Sequence, residues 1–180
     1  MKTNGPWKIK KSSMKYKNPW IKVREDKVVR PDGKPGIFGV VEMVPGVSIL
    51  PMDEQGYVYL VKKFNYAVGQ YGIEVPGGAI DRGESALAAA KRELMEELGI
   101  EAEEWLDLGL LNPFTGVINS PANLYLARKI KFISASRDKV EKITMMKIKF
   151  ADALKMVMKS DITHGQSSVL ILKTAEYLRK

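Results

Sequence analysis

The amino-acid sequence predicts an α/β (α+β) fold, because one strongly patterned helix lies between segments with the composition of β-strands. Within that helix, apolar residues recur at helical spacing, namely Leu87, Ala90, Leu94 and Leu98. Two further segments of helical spacing, residues 150–159 and 166–178, close the chain. The 180 residues are enough for one domain with a sizeable core, and the apolar fraction of 45% is ordinary for a globular protein.

The first part of the chain predicts a β-hairpin that precedes the main domain. Residues 1–18 are polar, and we expect no regular structure there. Two strand-like segments are separated by turn formers, namely residues 20–29, the turn Pro31-Asp32-Gly33, and residues 37–43. We therefore expect an N-terminal extension with a β-hairpin over residues 1–45 and a main domain over residues 46–180.

The main domain is expected to alternate short strands with loops. Strands are predicted where β-forming residues cluster, at residues 47–50, 57–61, 73–75, 105–111, 122–130 and 143–149. Residues 64–72 and 112–121 are predicted to be loops, and residues 101–104 an acidic link.

Charge and cysteine content exclude several classes of protein. The formal net charge is +8, but the lysines are scattered, so we interpret them as a solvated basic surface and expect no nucleic-acid partner. No apolar run is long enough to span a membrane, and we expect no membrane partner. The absence of cysteine excludes disulfides and thiolate metal sites. Together with a basic N-terminus that lacks an apolar signal segment, it predicts a cytoplasmic protein.

Three glutamates on the patterned helix are candidates for binding a metal ion. Glu93, Glu96 and Glu97 are related as i, i+3 and i+4, so their carboxylates share one face of the helix. Like charges at this spacing repel, and a hard divalent cation such as Mg²⁺ binds carboxylates together with substrate phosphates. Three glutamates alone are more typical of a solvated acidic face, so the interpretation depends on the residues around them.

The surrounding residues complete a specific motif. Gly78 is followed after five residues by Glu84 and after seven more by the run Arg92-Glu93-Leu94, then Glu96-Glu97, Gly99 and Ile100. This spacing resembles the Nudix box at every defining position. The resemblance implies the Nudix fold, a mixed β-sheet sandwiched between α-helices. It also implies hydrolysis of a nucleoside diphosphate that is linked to another group.

The sequence around the box is similar to one group within that family. The runs are KKFNYAVG, IEVPGGAIDRGES, PFTGVINSPANLYLAR and SDITHGQSSVLIL, and they resemble the ADP-ribose pyrophosphatase and nucleoside diphosphate sugar hydrolase group. This resemblance implies Mg²⁺-dependent hydrolysis of ADP-ribose or a related nucleoside diphosphate sugar to a nucleoside monophosphate and a sugar phosphate. Members of the group are typically homodimers whose N-terminal strands cross to the partner, so we expect a homodimer.

The resemblance also assigns a metal shell. It makes Glu93 and Glu97 the best ligands, with Glu96 as a third, and the main-chain carbonyl of Gly77 completes the shell around Mg²⁺, which Mn²⁺ can replace. A metal bridging two carboxylates can lower the pKa of bound water and so generate the nucleophile. Glu96 and Glu97 are therefore candidate catalytic residues as well.

Four further residues of the box are expected to support the site. By resemblance, Arg92 holds Glu84 and fixes the loop against the helix, as a bidentate arginine–carboxylate pair does well. Gly78 belongs to the turn before that loop, and Gly99 is expected just past the end of the helix.

The general base remains open at this point. In this group it often lies in the loop after the strand that follows the box, here SASRDKVEKI, whose acids are Asp138 and Glu141. We prefer Glu141, because it precedes the next strand, although an exposed surface acid is an equal interpretation. Glu96 is a third candidate for the base.

Substrate contacts are expected from the hairpin and from one lysine. By resemblance, Trp20 and Phe38 can sandwich the base of the substrate, and the alternative is packing in the hairpin or in a dimer interface. Residue 65 is Asn where the group often has an arginine that meets the phosphates. Lys63 or Lys62 can supply that charge, but neighbouring strand residues face opposite ways, so at most one points inward.

Other substrates and a different class of function are also considered. Asn65 and Ser120 depart from the group's pattern, which leaves a dinucleoside polyphosphate, a nicotinamide dinucleotide or a capped RNA end as alternatives. A non-catalytic, nucleotide-sensing Nudix domain is another, although such domains usually lose box residues. Glu74 is a weak candidate for a ligand or ribose contact, and the lone His164 is interpreted as incidental.

Overall fold

The computed structural model describes residues 2–133 and 143–179. Its elements in chain order are β1 (Lys2–Asn4), β2 (Trp7–Lys17), β3 (Ile21–Val29), β4 (Pro35–Met43), β5 (Gly46–Pro51), β6 (Tyr57–Asn65), β7 (Gln70–Glu74), β8 (Gly77–Ala79), α1 (Ala86–Leu98), β9 (Ile100–Leu111), β10 (Ile118–Asn119), β11 (Ala122–Phe132), β12 (Thr144–Lys149), α2 (Phe150–Met158) and α3 (Gly165–Leu178). The chain divides into two compact units: an N-terminal unit of Met1–Pro45 with Asn112–Pro121, and a main unit of Gly46–Leu111 with Ala122–Lys180.

The N-terminal unit is a single sheet in the order β1-β2-β3-β4-β10. The predicted hairpin is confirmed, since β3 and β4 pair antiparallel from Ile21 opposite Met43 to Val29 opposite Pro35. Its turn depends on Gly33, whose φ of 81° lies in the left-handed region that glycine adopts without strain.

The prediction of no regular structure in residues 1–18 is wrong. The segment forms β1 and the eleven-residue β2, and β2 pairs along the edge of β3. Most of its side chains are exposed, so the lysine-rich sequence carries no strong apolar alternation. The strand is fixed by backbone hydrogen bonds to β3, which follows after only three residues, and the exposed side chains of β2 give little sign of this pairing.

The main unit contains a mixed sheet, as expected for the fold class. Its four-stranded sheet has the order β8-β5-β11-β9, in which β5 and β11 run parallel and the other neighbours antiparallel. A three-stranded antiparallel sheet, β12-β6-β7, accompanies it. No helix in residues 2–133 and 143–179 is long and apolar enough to cross a membrane.

Helices pack on both faces of the strands in the main unit. Successive residues of β5 point to opposite faces, so Ile49 packs in the core beneath α1, whereas Leu50 packs in the core beneath α3. From α1, four buried residues enter the first core, namely Ala89, Ala90, Leu94 and Leu98. Leu170 and Ile171 of α3 and Ala153 of α2 enter the second. The sandwich expected from the Nudix resemblance is therefore present.

Two strand boundaries differ from the prediction. The expected loop at residues 64–72 is mostly strand, because β6 continues to Asn65 and β7 begins at Gln70. The expected acidic link at residues 101–104 belongs to β9. There, lysines of the neighbouring β11 form ion pairs with two of these glutamates, Lys129 with Glu104 and Lys131 with Glu103. Opposite charges across the strands compensate for the low β-propensity of glutamate.

The position of α1 depends on its apolar face, which a truncation can test. Leu94 is fully buried, so Leu94→Ala should lower the free energy of unfolding by about 2–5 kcal/mol through lost burial and a residual cavity. Leu87 lies on the same helix and is 38% exposed, so Leu87→Ala is the matched control with a much smaller effect. Urea unfolding followed by circular dichroism measures both, and equal losses would contradict the packing described.

Candidate active site

The box helix α1 begins and ends as its sequence predicts. Ser85 is the N-cap, and its hydroxyl accepts a hydrogen bond from the N–H of Ala88 at 3.2 Å. At the other end, Gly99 has a φ of 62°, and its N–H bonds the carbonyl of Met95 at 2.8 Å. These caps fix which residues of α1 face the turn that precedes the helix.

Arg92 joins the loop before α1 to the acidic face of the helix. Its Nε and Nη2 donate to the two carboxylate oxygens of Glu84 at 3.1 and 3.0 Å. Its Nη1 donates to Glu93 at 2.7 Å and to Glu96 at 3.1 Å, and Nη2 also reaches the carbonyl of Ala79 at 2.9 Å. The expected pair of Arg92 with Glu84 is therefore formed, and it is bidentate.

Glu93 is largely buried beside Arg92. Burial raises the pKa of Glu93, while the hydrogen bond and charge of Arg92 lower it. The carboxyl group lies directly over Gly78, where a Cβ atom would overlap it. A Cβ atom at position 78 would therefore displace this carboxyl group.

Glu97 links α1 to residues 76–78, where the chain enters β8, and we call these residues the glycine turn. Its Oε2 accepts a hydrogen bond from the N–H of Gly77 at 2.9 Å. Lys63 of β6 lies 3.8 Å from its other carboxylate oxygen. A Cβ atom at Gly77 would overlap the main-chain carbonyl of Val47, because β8 pairs closely with β5 at this point.

The acidic face fits a hard divalent cation. Glu93, Glu97 and Glu96 offer carboxylate oxygens one helical turn apart, the donor type that such cations take. The side chain of Glu96 is 48% exposed, while those of Glu93 and Glu97 are 14% and 10% exposed. Arg92 and Lys63 partly neutralise the three charges. In the described part of the chain, no three acidic or histidine side chains converge as a ready-made metal cluster.

The two candidate lysines point in opposite directions, as expected. Lys63 is directed to Glu97, whereas the ammonium of Lys62 lies 6.0 Å from the ring centre of Tyr71. Lys63 is thus the lysine that faces the acidic helix. Asn65, which lies on the same face of β6, donates a hydrogen bond to Glu74 at 2.5 Å.

The aromatic candidates lie apart in the N-terminal unit. Trp20 is 68% exposed, whereas Phe38 packs edge-to-face on Trp7 with ring centres 5.6 Å apart. Phe38 is opposite Asp26, six positions along the strand from Trp20, and at about 3.3 Å per residue that is roughly 20 Å. These two rings of one chain therefore cannot stack on the two faces of one base, and a sandwich that combines rings from two copies of the chain stays a prediction.

Three candidates from the loops after the box remain. Glu141 and Asp138 lie outside the described residues. Ser120 follows β10 in the N-terminal unit and is half-buried.

A polar cluster beside the turn was missed from the sequence. Glu74 is nearly buried, and His164 places Nδ1 3.6 Å from one of its carboxylate oxygens. The same Nδ1 is 2.8 Å from the hydroxyl of the fully buried Ser167, which accepts a hydrogen bond from the N–H of Val75 at 2.9 Å. From the sequence, His164 was interpreted as incidental. The structure instead places it in a hydrogen-bonded cluster. The helical spacing after His164 was the available signal, since it places Ser167 one turn further on.

A sandwich of helices and mixed sheet, with a glycine turn held against an acidic helix, is the architecture of the Nudix class. The chain belongs to the Nudix family, since the NUDIX domain model matches residues 43–138. A second model, the nucleoside diphosphate sugar hydrolase N-terminal domain, matches residues 7–41. Members of the family generally use divalent metal ions.

Several known proteins are similar to the chain. The ADP-ribose pyrophosphatase of Mycobacterium tuberculosis is 30% identical over 146 residues, which cover 79% of this chain and 70% of that protein. The ADP-ribose pyrophosphatase of Bacillus subtilis is 25% identical over 143 residues, covering 78% and 77%. A crystal structure of an ADP compounds hydrolase shares the fold with a TM-score of 0.86 at 20% identity, covering 99% of this chain and 97% of that one.

The two glycines of the turn should respond differently to an added methyl group. Gly77→Ala places Cβ against main chain, so we expect the free energy of unfolding to fall by about 1–3 kcal/mol. Gly78→Ala meets only the mobile end of Glu93, which can move aside, so the loss should be clearly smaller. Gly116→Ala, where the Cβ meets no atom within 4 Å, is the control in urea unfolding. A larger loss for Gly78→Ala than for Gly77→Ala would contradict this geometry.

Proposed function

We propose that this protein hydrolyses the diphosphate linkage of ADP-ribose or a related nucleoside diphosphate sugar. The products would be a nucleoside monophosphate and a sugar phosphate. The observation that carries the proposal is the complete box, in which Glu93 and Glu97 lie against the Gly77–Gly78 turn. The N-terminal domain match and the ADP-ribose pyrophosphatases among the relatives support this substrate class.

Mg²⁺ is the proposed cofactor, with Mn²⁺ as a substitute. Glu93, Glu97 and Glu96 would hold it, with the carbonyl of Gly77 close by. When bound, the ion supplies neutralisation of the diphosphate charge and a lower pKa for coordinated water.

The side chains around the carboxylates have separate tasks in the proposed reaction. Lys63 brings a positive charge close to Glu97, where it can meet the substrate phosphates. Arg92 fixes the orientation of Glu93 through its bidentate hold on Glu84. Positioning and charge neutralisation are expected to supply most of the rate of such a phosphoryl transfer.

The proton acceptor is proposed from two candidates. Glu96 is the most exposed of the three glutamates on α1, so it can reach a water molecule on the solvent side of the helix. Glu141 remains the alternative by resemblance.

The N-terminal unit is proposed to form a homodimer and to contribute one aromatic ring to the base. Several apolar side chains of this unit are exposed and can contact a second copy, namely Met14, Tyr16, Trp20 and Ile37. Trp20 is the better candidate for stacking, since Phe38 already packs on Trp7. A cytoplasmic location stays part of the proposal.

A different nucleoside diphosphate derivative is the second candidate substrate. Asn65 is tied to Glu74 and carries no charge, so it does not replace the arginine that the group often has there. A dinucleoside polyphosphate, a nicotinamide dinucleotide or a capped RNA would need a different charge distribution at this position.

A hydrolysis screen tests the proposed function. ADP-ribose, several other nucleoside diphosphate sugars and a dinucleoside polyphosphate are incubated with the protein and Mg²⁺, and products are identified by mass spectrometry. We expect AMP and ribose 5-phosphate from ADP-ribose, or the corresponding products from a related sugar. Preference for the dinucleoside polyphosphate would favour the second candidate, and tight nucleotide binding without hydrolysis would favour a sensor domain.

The role of Glu97 can be separated from its structural hydrogen bond. Glu97→Gln keeps an oxygen that can accept from the N–H of Gly77 but removes the negative charge. We expect kcat to fall roughly a hundredfold or more with little change in Tm. Glu101→Gln, an exposed position just past the box, is the matched control. Near-normal turnover of Glu97→Gln would remove it from the metal shell.

A further inference from the structure

The beginning of α3 holds the strand that leads into the glycine turn. We call the residues His164, Gln166 and Ser167 the α3 latch. The hydroxyl of Ser167 accepts the N–H of Val75 at 2.9 Å, and Gln166 accepts a hydrogen bond from the hydroxyl of Ser48 at 2.7 Å. The first contact joins α3 to the chain just after β7 and the second joins it to β5, and Ser167 is fully buried.

The position of Gly77 depends on this short stretch of chain. Val75 and Pro76 are the residues between Glu74 and Gly77, and they are held on both sides. The carbonyl of Pro76 accepts from the N–H of Ile49 at 2.9 Å, and the N–H of Gly77 donates to Glu97 at 2.9 Å. Gly77 follows Val75 by two residues, so a displacement of the main chain at Val75 would also change the hydrogen bond between Gly77 and Glu97.

His164 controls the hydrogen bonding of Ser167. The hydroxyl of Ser167 already accepts from Val75, so its own proton is available for donation to Nδ1 of His164, 2.8 Å away. This arrangement requires a neutral imidazole with an unprotonated Nδ1. When Nδ1 gains a proton it becomes a donor, and Ser167 must then turn its proton elsewhere.

Charged groups on two neighbouring strands face this imidazole. Glu74 of β7 lies 3.6 Å from Nδ1, with its other oxygen bonded to Asn65, and the ammonium of Lys63 on β6 acts from further away. Burial lowers the pKa of His164 and Lys63 lowers it further, whereas Glu74 raises it. The lowered pKa favours the neutral ring at neutral pH, and acidification below it turns the ring into a cation.

We infer that His164 is a positioning residue: its neutral Nδ1 accepts from Ser167 and so holds the chain that presents Gly77 to Glu97. Its kinetic consequence rests on the proposed function, whereas the structural consequence does not. Acidification would disturb the latch as His164 gains its proton, and the ion pair with Glu74 would replace the bond to Ser167.

Three substitutions distinguish the two ring nitrogens. The side-chain amide of His164→Asn can place an acceptor where Nδ1 lies, that of His164→Gln reaches only the place of Nε2, and His164→Ala offers neither. The helix start should survive all three, because His164 makes no side-chain cap hydrogen bond. Thr163→Ala, an exposed neighbour, is the control.

The kinetic readout is kcat and KM as functions of pH, with the substrate identified in the screen. We expect His164→Ala and His164→Gln to lower kcat roughly tenfold to a hundredfold with a smaller change in KM, as for a displaced catalytic group. His164→Asn should restore kcat and remove the acid-side loss of activity that wild type shows as His164 is protonated. Higher activity in His164→Gln than in His164→Asn would overturn the inference, because the ring would then act through Nε2.

A second readout requires neither substrate nor metal. In wild-type protein labelled with ¹⁵N, the amide resonance of Gly77 should shift with pH in step with the ring of His164, and this step should be absent from His164→Asn. Identical Gly77 titrations in both proteins would overturn the inference. If the protein hydrolyses no compound in the screen, the proposed function fails, and this titration still decides the role of the latch.

Discussion

The hydrogen bonds of Arg92 hold together groups that would otherwise repel. Three glutamates within two turns of α1 and a fourth in the preceding loop place negative charge in a small volume. The hydrogen bonds of Glu84 to Arg92 raise the pKa of the guanidinium further above its usual range, so its charge is permanent. Arg92 contacts Glu84, Glu93 and Glu96 at once, and this fixes both the loop and the acidic face. The same hydrogen bond and charge lower the pKa of Glu93, against the rise that its burial causes.

Packing brings this acidic face to the turn. Leu94 and Leu98 alternate along α1 with Glu93 and Glu97, so the same helical phase that buries the leucines directs the carboxylates to the edge of the sheet. The sheet side of the contact is equally close, because β8 pairs with β5 and leaves no space for a side chain at Gly77. The site is thus the junction of a packed helix and a paired strand, and its geometry follows from the core.

The sequence predicted the parts of this arrangement that are local. The bounds of α1 and its Ser85 and Gly99 caps follow from a spacing of a few residues. The pairing of Arg92 with Glu84 was expected from the family resemblance. The β2 strand was not predicted, because its mostly exposed side chains carry no strong apolar alternation. The His164 cluster was not predicted, because it depends on partners far along the chain. Glu74 and His164 are ninety residues apart, and only the packing of α3 into the core of the main unit brings them together. The general base stays a prediction, since Glu141 is outside the described residues.

An asparagine instead of an arginine at position 65 changes the distribution of charge around Glu74. An arginine there would meet Glu74 and present a cation to the same space. Asn65 instead bonds to Glu74 without charge, which leaves His164 as the neighbour that can neutralise this nearly buried carboxylate. Lys63 points to Glu97 from the same face of β6, one strand repeat away from Asn65. The permanent positive charge on this face of β6 therefore lies beside Glu97, and a charge on His164 beside Glu74 depends on the protonation of that histidine.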